Sequence, residues 1–349
     1  MYKYYTRACN FYYGETSKSN IKKKKSIPLN GNHLISFDMI EIISRKKKWV
    51  INIKDINKLP KNLKKKIVND INILKTKKNL KQLGLSKIPI LMGIVNLTPD
   101  SFSDGGNYNN KNLALKRIKN LLSSGAKIID IGGESTRPGA EDINYFKEWK
   151  RIEPTLKTLK NKNCLISLDT RKRFVMENAS NIRVDIINDV SGLNYDPNTI
   201  QFLKKTKKTF IIHHMQGEPK NMQLNPSYDN VLLDIYDFFE NKLKFLRKEG
   251  IKHNNIILDP GIGFGKNLKH NITIIKNISI FHSLGLPVML GLSRKRFIKD
   301  ISENNDTKER IGGTVSSCIN AYLNGVQILR VHDVKEINQA FKVFKELQN

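Results

Sequence analysis

From residue 88 onward, short apolar runs alternate with amphipathic stretches eight times, and this beat constrains the fold more than any other feature of the chain. The runs are IPILMGIVN (88–96), AKIIDIGG (126–133), CLISLDT (164–170), VDIINDV (184–190), TFIIHHM (209–215), NIILDPG (255–261), PVMLGLS (287–293) and VQILRVHD (326–333). They lack in-out alternation, as expected for parallel strands covered on both faces. Between them lie helical patterns such as NLALKRIKNLLSSG, DNVLLDIYDFFENKLKFLRKEG and TVSSCINAYLNG, each closed by a Gly placed to end a helix. Eight such units in residues 88–349 match an α/β fold of the TIM (β/α)8 barrel type, which typically takes about 250 residues. An open doubly wound sheet is the alternative.

Upstream, residues 1–87 form a basic N-terminal extension, rich in Lys runs (IKKKKS, SRKKKW, NLKKKI) and poor in Gly. Strand-like LISFDMIEII and KWVINI, followed by the helical spacing of LPKNLKKKIVNDINILKTKKNL, predict a small α+β domain to which no activity is assigned. The Lys runs read as a solvated face. The formal charge is +29, from 61 Lys and Arg against 32 Asp and Glu. Lys, Asn and Ile recur together along the whole chain, so this is a global bias and not the one-sided footprint of a nucleic-acid binder. Three scattered cysteines, Cys9, Cys164 and Cys318, form no zinc or disulfide pattern. No apolar run approaches the ~18 residues of a membrane span, and the N-terminus lacks a signal-peptide core. The expectation is a cytoplasmic protein that binds neither nucleic acid nor membrane.

In a barrel, chemistry collects at the C-terminal tips of the strands. Here the tips offer Asn96, Asp130 with Glu134, Asp169, Asn188 with Asp189, His213 with His214, Asp259, Ser293 leading to Lys295, and Arg330 with His332. Polar groups buried without partners cost roughly 1–3 kcal/mol each, so a set this large points to a site. Singly, His213 or His214 reads as a satisfied core histidine, and Asp189 as the cap of a turn. Asp169, Asn188 and Asp259 suit a flat heterocycle rich in N–H donors. Thr136, Arg137, Lys295, Arg330 and His332 suit an anion, the last two as paired cationic donors, and Asn96 offers an oxygen to Mg²⁺. Two long loops, NLTPDSFSDGGNYNN and GGESTRPGAEDIN, have the composition of closing lids. DPGIGFGKN is no Walker A motif, since Pro260 and Asn267 stand where Gly and Ser or Thr are required.

The stretches MGIVNLTPDSFSDGG, GAKIIDIGGESTRPGA, SLDTRK, IINDVSGL, HMQGEPKNMQ, ILDPGIGFGK, GLSRKRFI and ILRVHDV closely resemble, in order, the motifs of the dihydropteroate synthase family. The resemblance implies condensation of 6-hydroxymethyl-7,8-dihydropterin diphosphate with 4-aminobenzoate, Mg²⁺ as cofactor and a homodimer. It implies that Asp169, Asn188, Asp259 and Lys295 hold the pterin, and that Asn96, Thr136, Arg330 and His332 hold the diphosphate, with the metal at Asn96. Asp100, Ser101, Phe102, Ser135, Arg137 and Pro138 would then close over the site, and Phe264 and Ser293 would help form the aminobenzoate pocket. The resemblance assigns catalysis to Asp100, Lys295, Arg330 and His332. A corrinoid-linked methyltransferase of the same barrel type shares the ring-binding positions but should lack the anion clamp. An inactive barrel that binds RNA is the alternative from a different class. Departures from the family pattern are Ser316 and Ser317, the extra His213 before the matched His214, and the basic segment 1–87.

Overall fold

A computed structural model of the chain describes residues 3–78, 80, 83, 88–98, 107–136, 139–303 and 305–348. The eight expected runs become eight parallel strands: β5 (Ile90–Asn96), β6 (Ile128–Gly132), β7 (Leu165–Asp169), β8 (Ile186–Asp189), β9 (Thr209–His213), β10 (Ile256–Asp259), β11 (Met289–Gly291) and β12 (Ile328–Val331). Each pairs with its sequence neighbour from β5 to β10, and β12 lies between β5 and β11. A parallel bridge between Leu258 and Val288 joins β10 to the residue preceding β11, with Leu258 N–H donating to Pro287 O at 2.9 Å. The ring is thereby closed, which sets aside the open-sheet alternative.

Helices α3 (Asn107–Ser123), α4 (Tyr145–Leu159), α5 (Arg173–Ile182), α6 (Thr199–Thr206), α7 (Val231–Lys248), α8 (Leu268–Lys276), α9 (Arg296–Ser302), α10 (Ile311–Leu323) and α11 (Val334–Glu346) follow the strands around the outside. The strands bury both faces. Their outward residues, among them Ile129, Ile131, Ile166, Leu168, Ile187 and Ile212, share one core with helix residues such as Ile152, Leu156, Val175 and Phe239. Their inward residues form a separate apolar layer of Ile90, Met92, Ile128, Ile186, Ile211, Ile257, Met289 and Ile328, joined from below by Leu80 and Leu83. Fully burying one such side chain stabilises the fold by about 1.5–3 kcal/mol.

The N-terminal segment folds as β1 (Tyr5–Tyr13), α1 (Gly14–Lys22), β2 (Ile27–Leu29), β3 (Asn32–Ile43), β4 (Lys48–Asn52) and α2 (Lys61–Lys75). β3, β4 and α2 fall where strand and helix spacing put them, whereas β1 and α1 carry no pattern that marked them in the sequence. β3 is long enough to pair with β1 along one edge and with both β2 and β4 along the other. Lys22 to Lys25 and Arg45 to Lys48 are solvent-exposed, as a wet face requires.

This sheet packs on the barrel without a core of its own. Tyr5, Phe37, Ile40, Ile67 and Leu74 belong to the same apolar cluster as Phe239, Ile278 and Phe281. Polar ties reinforce the seam. Ser279 Oγ donates to Ala8 O at 2.9 Å, Tyr5 Oη to Asp237 at 2.9 Å, and Arg45 pairs with both Asp234 and Asp237 at 2.8 Å. Among the described residues no helix is long and apolar enough to cross a membrane.

Candidate active site

Strand parity selects the site. Side chains two apart in a strand share a face, so the inward layer fixes which residue stands inward at each tip. Above Ile128, Ile186, Ile211, Ile257 and Ile328 stand Asp130, Asn188, His213, Asp259 and Arg330, and Leu165 leads through Ser167 to Asp169. Asp169, Asn188, His213, Asp259 and Arg330 line one cleft together with Thr136, Val190, Ile262, Phe264, Gly291 and Lys295. Outward neighbours serve structure. Asp189 accepts from Ser191 N at 2.8 Å, and His214 Nδ1 meets Lys266 Nζ at 3.0 Å.

The centre of the cleft is an ion-paired cluster. Arg330 Nε donates to Asp130 Oδ2 at 2.6 Å, and its Nη2 donates to Asp169 Oδ2 at 2.7 Å. Burial opposes the guanidinium charge, but these carboxylates more than offset it and raise its pKa. Part of the Arg330 donor fork is thus committed to two buried carboxylates, and the rest is left for the expected anion. Burial lifts Asp169 to about 7, with Arg330 pulling it down and Asp130 pushing it further up. Burial likewise lifts Asp259 to about 6 against the Gly261 N–H, which donates to its Oδ1 at 2.8 Å.

Two acceptors here lack partners. Among the described residues, nothing donates to the buried Asp169 Oδ1 or Asn188 Oδ1. Leaving such atoms unmet costs about 1–3 kcal/mol each, so the cleft is built to receive N–H donors. Lys295 stands opposite, its Nζ 4.2 Å from the Phe264 ring centroid. Burial, with Arg330 adding to it, lowers its pKa to about 8. The His213 ring sits edge-on to Phe264 at 4.4 Å, and burial holds it well below the usual imidazole range.

Other expected residues lie nearby without lining this cleft. His332 Nδ1 is 3.2 Å from Ser293 Oγ, and Arg117 donates to the His332 carbonyl. Burial, with Arg330 and Arg294 beside it, lowers His332 to about 3, so it is neutral near pH 7. Asn96 ends β5, half-buried, opposite Gly132 of β6. Asp100, Ser101, Phe102, Arg137 and Pro138 lie outside the described residues.

The second long loop is anchored at its near end. Glu134 takes Lys172 Nζ at 2.6 Å and Arg171 Nε at 3.1 Å, and Lys172 also reaches Glu148 at 3.1 Å. The glycines of DPGIGFGKN serve close packing: Gly261 has φ +69°, and a Cβ there would run into the His214 carbonyl. Sequence reasoning gave Asp130 no role beyond its position at a tip, and read His213 as core. The signal that finds both is parity counted back from Ile128 and Ile211.

Among the described residues no group of three His, Cys, Asp or Glu could hold a metal ion. The expected ligand, Asn96, would supply a single side-chain oxygen. This fits Mg²⁺, which keeps several waters and shares coordination with substrate phosphates.

A family model described as "Pterin binding enzyme" matches residues 92–332. The dihydropteroate synthase of Haemophilus influenzae is 40% identical over 263 residues, covering 75% of this chain and 95% of that protein. The Neisseria meningitidis serogroup C synthase is 43% identical over 263 residues, covering 74% and 93%. Among solved structures, the Yersinia pestis dihydropteroate synthase with a sulfonamide drug superposes with a TM-score of 0.70 at 39% identity, over 74% of this chain and 94% of that one. The Xanthomonas albilineans enzyme in complex with 7,8-dihydropteroate gives 0.68 at 32% identity, over 74% and 94%. With its closed parallel ring, its acceptor-lined cleft and these relatives, the chain belongs to the pterin-binding enzymes, among the dihydropteroate synthases.

Proposed function

We infer that the chain condenses 6-hydroxymethyl-7,8-dihydropterin diphosphate with 4-aminobenzoate, giving 7,8-dihydropteroate and diphosphate. One observation carries the reading: the unpartnered acceptors Asp169 Oδ1 and Asn188 Oδ1, buried in the same cleft as Asp259 and Lys295. A pterin presents a row of N–H donors on one edge and a carbonyl near the other. Asp169, Asn188 and Asp259 accept from the donors, and Lys295 donates to the carbonyl side. Arg330 holds Asp169 in place through their ion pair and keeps its remaining N–H groups for the substrate.

The C–O bond between the methylene carbon and the diphosphate breaks with its electron pair leaving on the diphosphate. The electron-rich ring stabilises the methylene cation, and the neutral arylamine nitrogen attacks it and then loses a proton. Donors already aimed at the leaving group favour the transition state over the ground state. In this reading Thr136, His332 and the free part of Arg330 donate to the leaving group, with Asp100 and Arg137 joining from the two loops. Phe264 and Ser293 border the aminobenzoate position. Mg²⁺, with Asn96 as its protein ligand, would neutralise charge on the diphosphate. Homodimer assembly and residence in the cytoplasm, consistent with three free cysteines, complete the proposal.

The test mixes the purified chain with both substrates and follows diphosphate. Release that depends on 4-aminobenzoate is the expected result. Methyl transfer from methyltetrahydrofolate, without diphosphate release, would move the chain to the rival branch of the family.

A further inference from the structure

The N-terminal segment does more than cover one end of the barrel. Where the β2–β3 turn and the residues after α2 meet the approaches to β5 and β12, they enclose a cavity of about 490 Å³. That lies within the ~300–1,000 Å³ range of small-molecule sites. Asn30, Lys77 and Lys78 come from the segment, whereas Tyr322, Gln327 and Lys345 come from the barrel. Neither part has the site alone. It is at the opposite end of the strands from the pterin cleft: Gln327 precedes β12, and Arg330 stands three residues, roughly 10 Å, further along.

The lining decides the sign of the ligand. It contains Lys77, Lys78, Lys345 and His33, and among the described lining residues no Asp or Glu. Lys78 is 7% exposed, and among the described residues its Nζ makes one hydrogen bond, to Ile73 O at 2.6 Å. No described carboxylate pairs with it, and burial lowers its pKa to about 8.

Two buried amides decide the rest. Gln327, 3% exposed, accepts from Val288 N through Oε1 at 2.8 Å but leaves Nε2 without a partner. Asn30, 6% exposed, donates to Gly325 O at 3.2 Å and leaves Oδ1 without one. With Asn32 Nδ2, two buried donors and one buried acceptor are thus unanswered among the described residues, beside an uncompensated cation and apolar walls from Leu80 and Ile88. Each is costly unless a ligand meets it.

We propose that this cavity is a second binding site, built jointly by the N-terminal segment and the barrel, for a small organic anion whose body carries a hydrogen-bond donor and an acceptor. The anionic group, a carboxylate or a phosphate monoester, pairs with Lys78 and Lys77. The body's donor meets Asn30 Oδ1, its acceptor meets Gln327 Nε2, and its apolar part lies on Leu80 and Ile88.

Calorimetric titration of the full chain tests this without reference to turnover. The probes are N-benzoylglycine for the carboxylate form, uridine 5′-monophosphate for the phosphate form and N-methylbenzamide as the neutral control. Saturable binding of either anion is expected, at least about tenfold weaker in Lys78→Met and in Lys77→Glu, with no binding of the neutral probe. The better of the two anions identifies the head group. Lys77 is exposed, so Lys77→Glu keeps the test valid should Lys78→Met fold poorly, and its synthase turnover should match the parent. The proposal is overturned by an absence of saturable anion binding, by anion binding that neither substitution weakens, or by equal binding of the neutral probe.

Discussion

At the scale of single residues, the site rests on charges held away from water. Lys295 and Arg330 share a cleft but differ in what their removal does. Among the described residues no carboxylate pairs with Lys295, so Lys295→Ala should leave thermal stability nearly unchanged. A hydrogen bond to a charged group is worth about 1.5–3 kcal/mol, so kcat/KM should fall at least about tenfold. Arg330→Ala should lose at least as much activity and also stability, because it strips the partner from Asp130 and Asp169; breaking a buried pair costs about 3–5 kcal/mol. Thermal denaturation alongside kinetics separates the two cases, and equal melting temperatures for both variants would contradict the ion-pair reading.

The same groups set the pH dependence. Asp169 and Asp259, lifted to about 7 and about 6 by burial, gain protons as pH falls and cease to be pure acceptors for the pterin. Lys295, lowered to about 8, loses its charge as pH rises. A plot of kcat/KM against pH should therefore be bell-shaped, with an acid limb between about 6 and 7 and a basic limb near about 8. Asp259→Asn should steepen neither limb but alter the acid one, and a flat profile from pH 5 to 9 would contradict these assignments. The residue types were legible in the sequence. Their pairing was not, because Asp130, Asp169 and Arg330 meet only when three strands close into a ring.

At the scale of elements, the eight barrel strands were readable because burial on both faces leaves continuous apolar runs. Even so, the runs overshoot the ladders. VQILRVHD spans eight residues while β12 keeps four, Ile328 to Val331, since the polar tips leave the hydrogen-bonded sheet to form the site. β1 was not readable: YTRACNFYY mixes polar and aromatic residues, and its burial is decided by the β3 edge and by the 278–284 turn beneath it. Phe37 of β3 is fully buried between that sheet and the barrel. Phe37→Ala should cost about 3–5 kcal/mol, measured by urea denaturation, and a loss below about 1 kcal/mol would mean the sheet is only loosely seated.

At the scale of the whole molecule, the chain is a synthase barrel with a basic sheet sharing its core. Sequence composition suggested a boundary near residue 88, and the proposed division into 1–87 and 88–349 remains useful for naming the parts. The shared cluster of Tyr5, Phe37, Phe239 and Phe281 implies that residues 88–349 alone would expose apolar surface. Truncation to 88–349 should lower the melting temperature or the soluble yield, whereas independent folding at full stability would show the parts to be autonomous. The charge pattern alone could not reveal the cavity between them, since Lys78 looks like any other lysine of the segment until its burial is known.

The central claim is that strand parity, counted from the inward apolar layer, decides which tip residues grip the pterin. Neighbours on β8 test it directly: Asn188 faces the cleft and Asp189 faces away. Equilibrium binding of the dihydropterin diphosphate should weaken at least about tenfold in Asn188→Leu and stay close to the parent value in Asp189→Asn. The reverse order, or equal losses in both, would contradict the account.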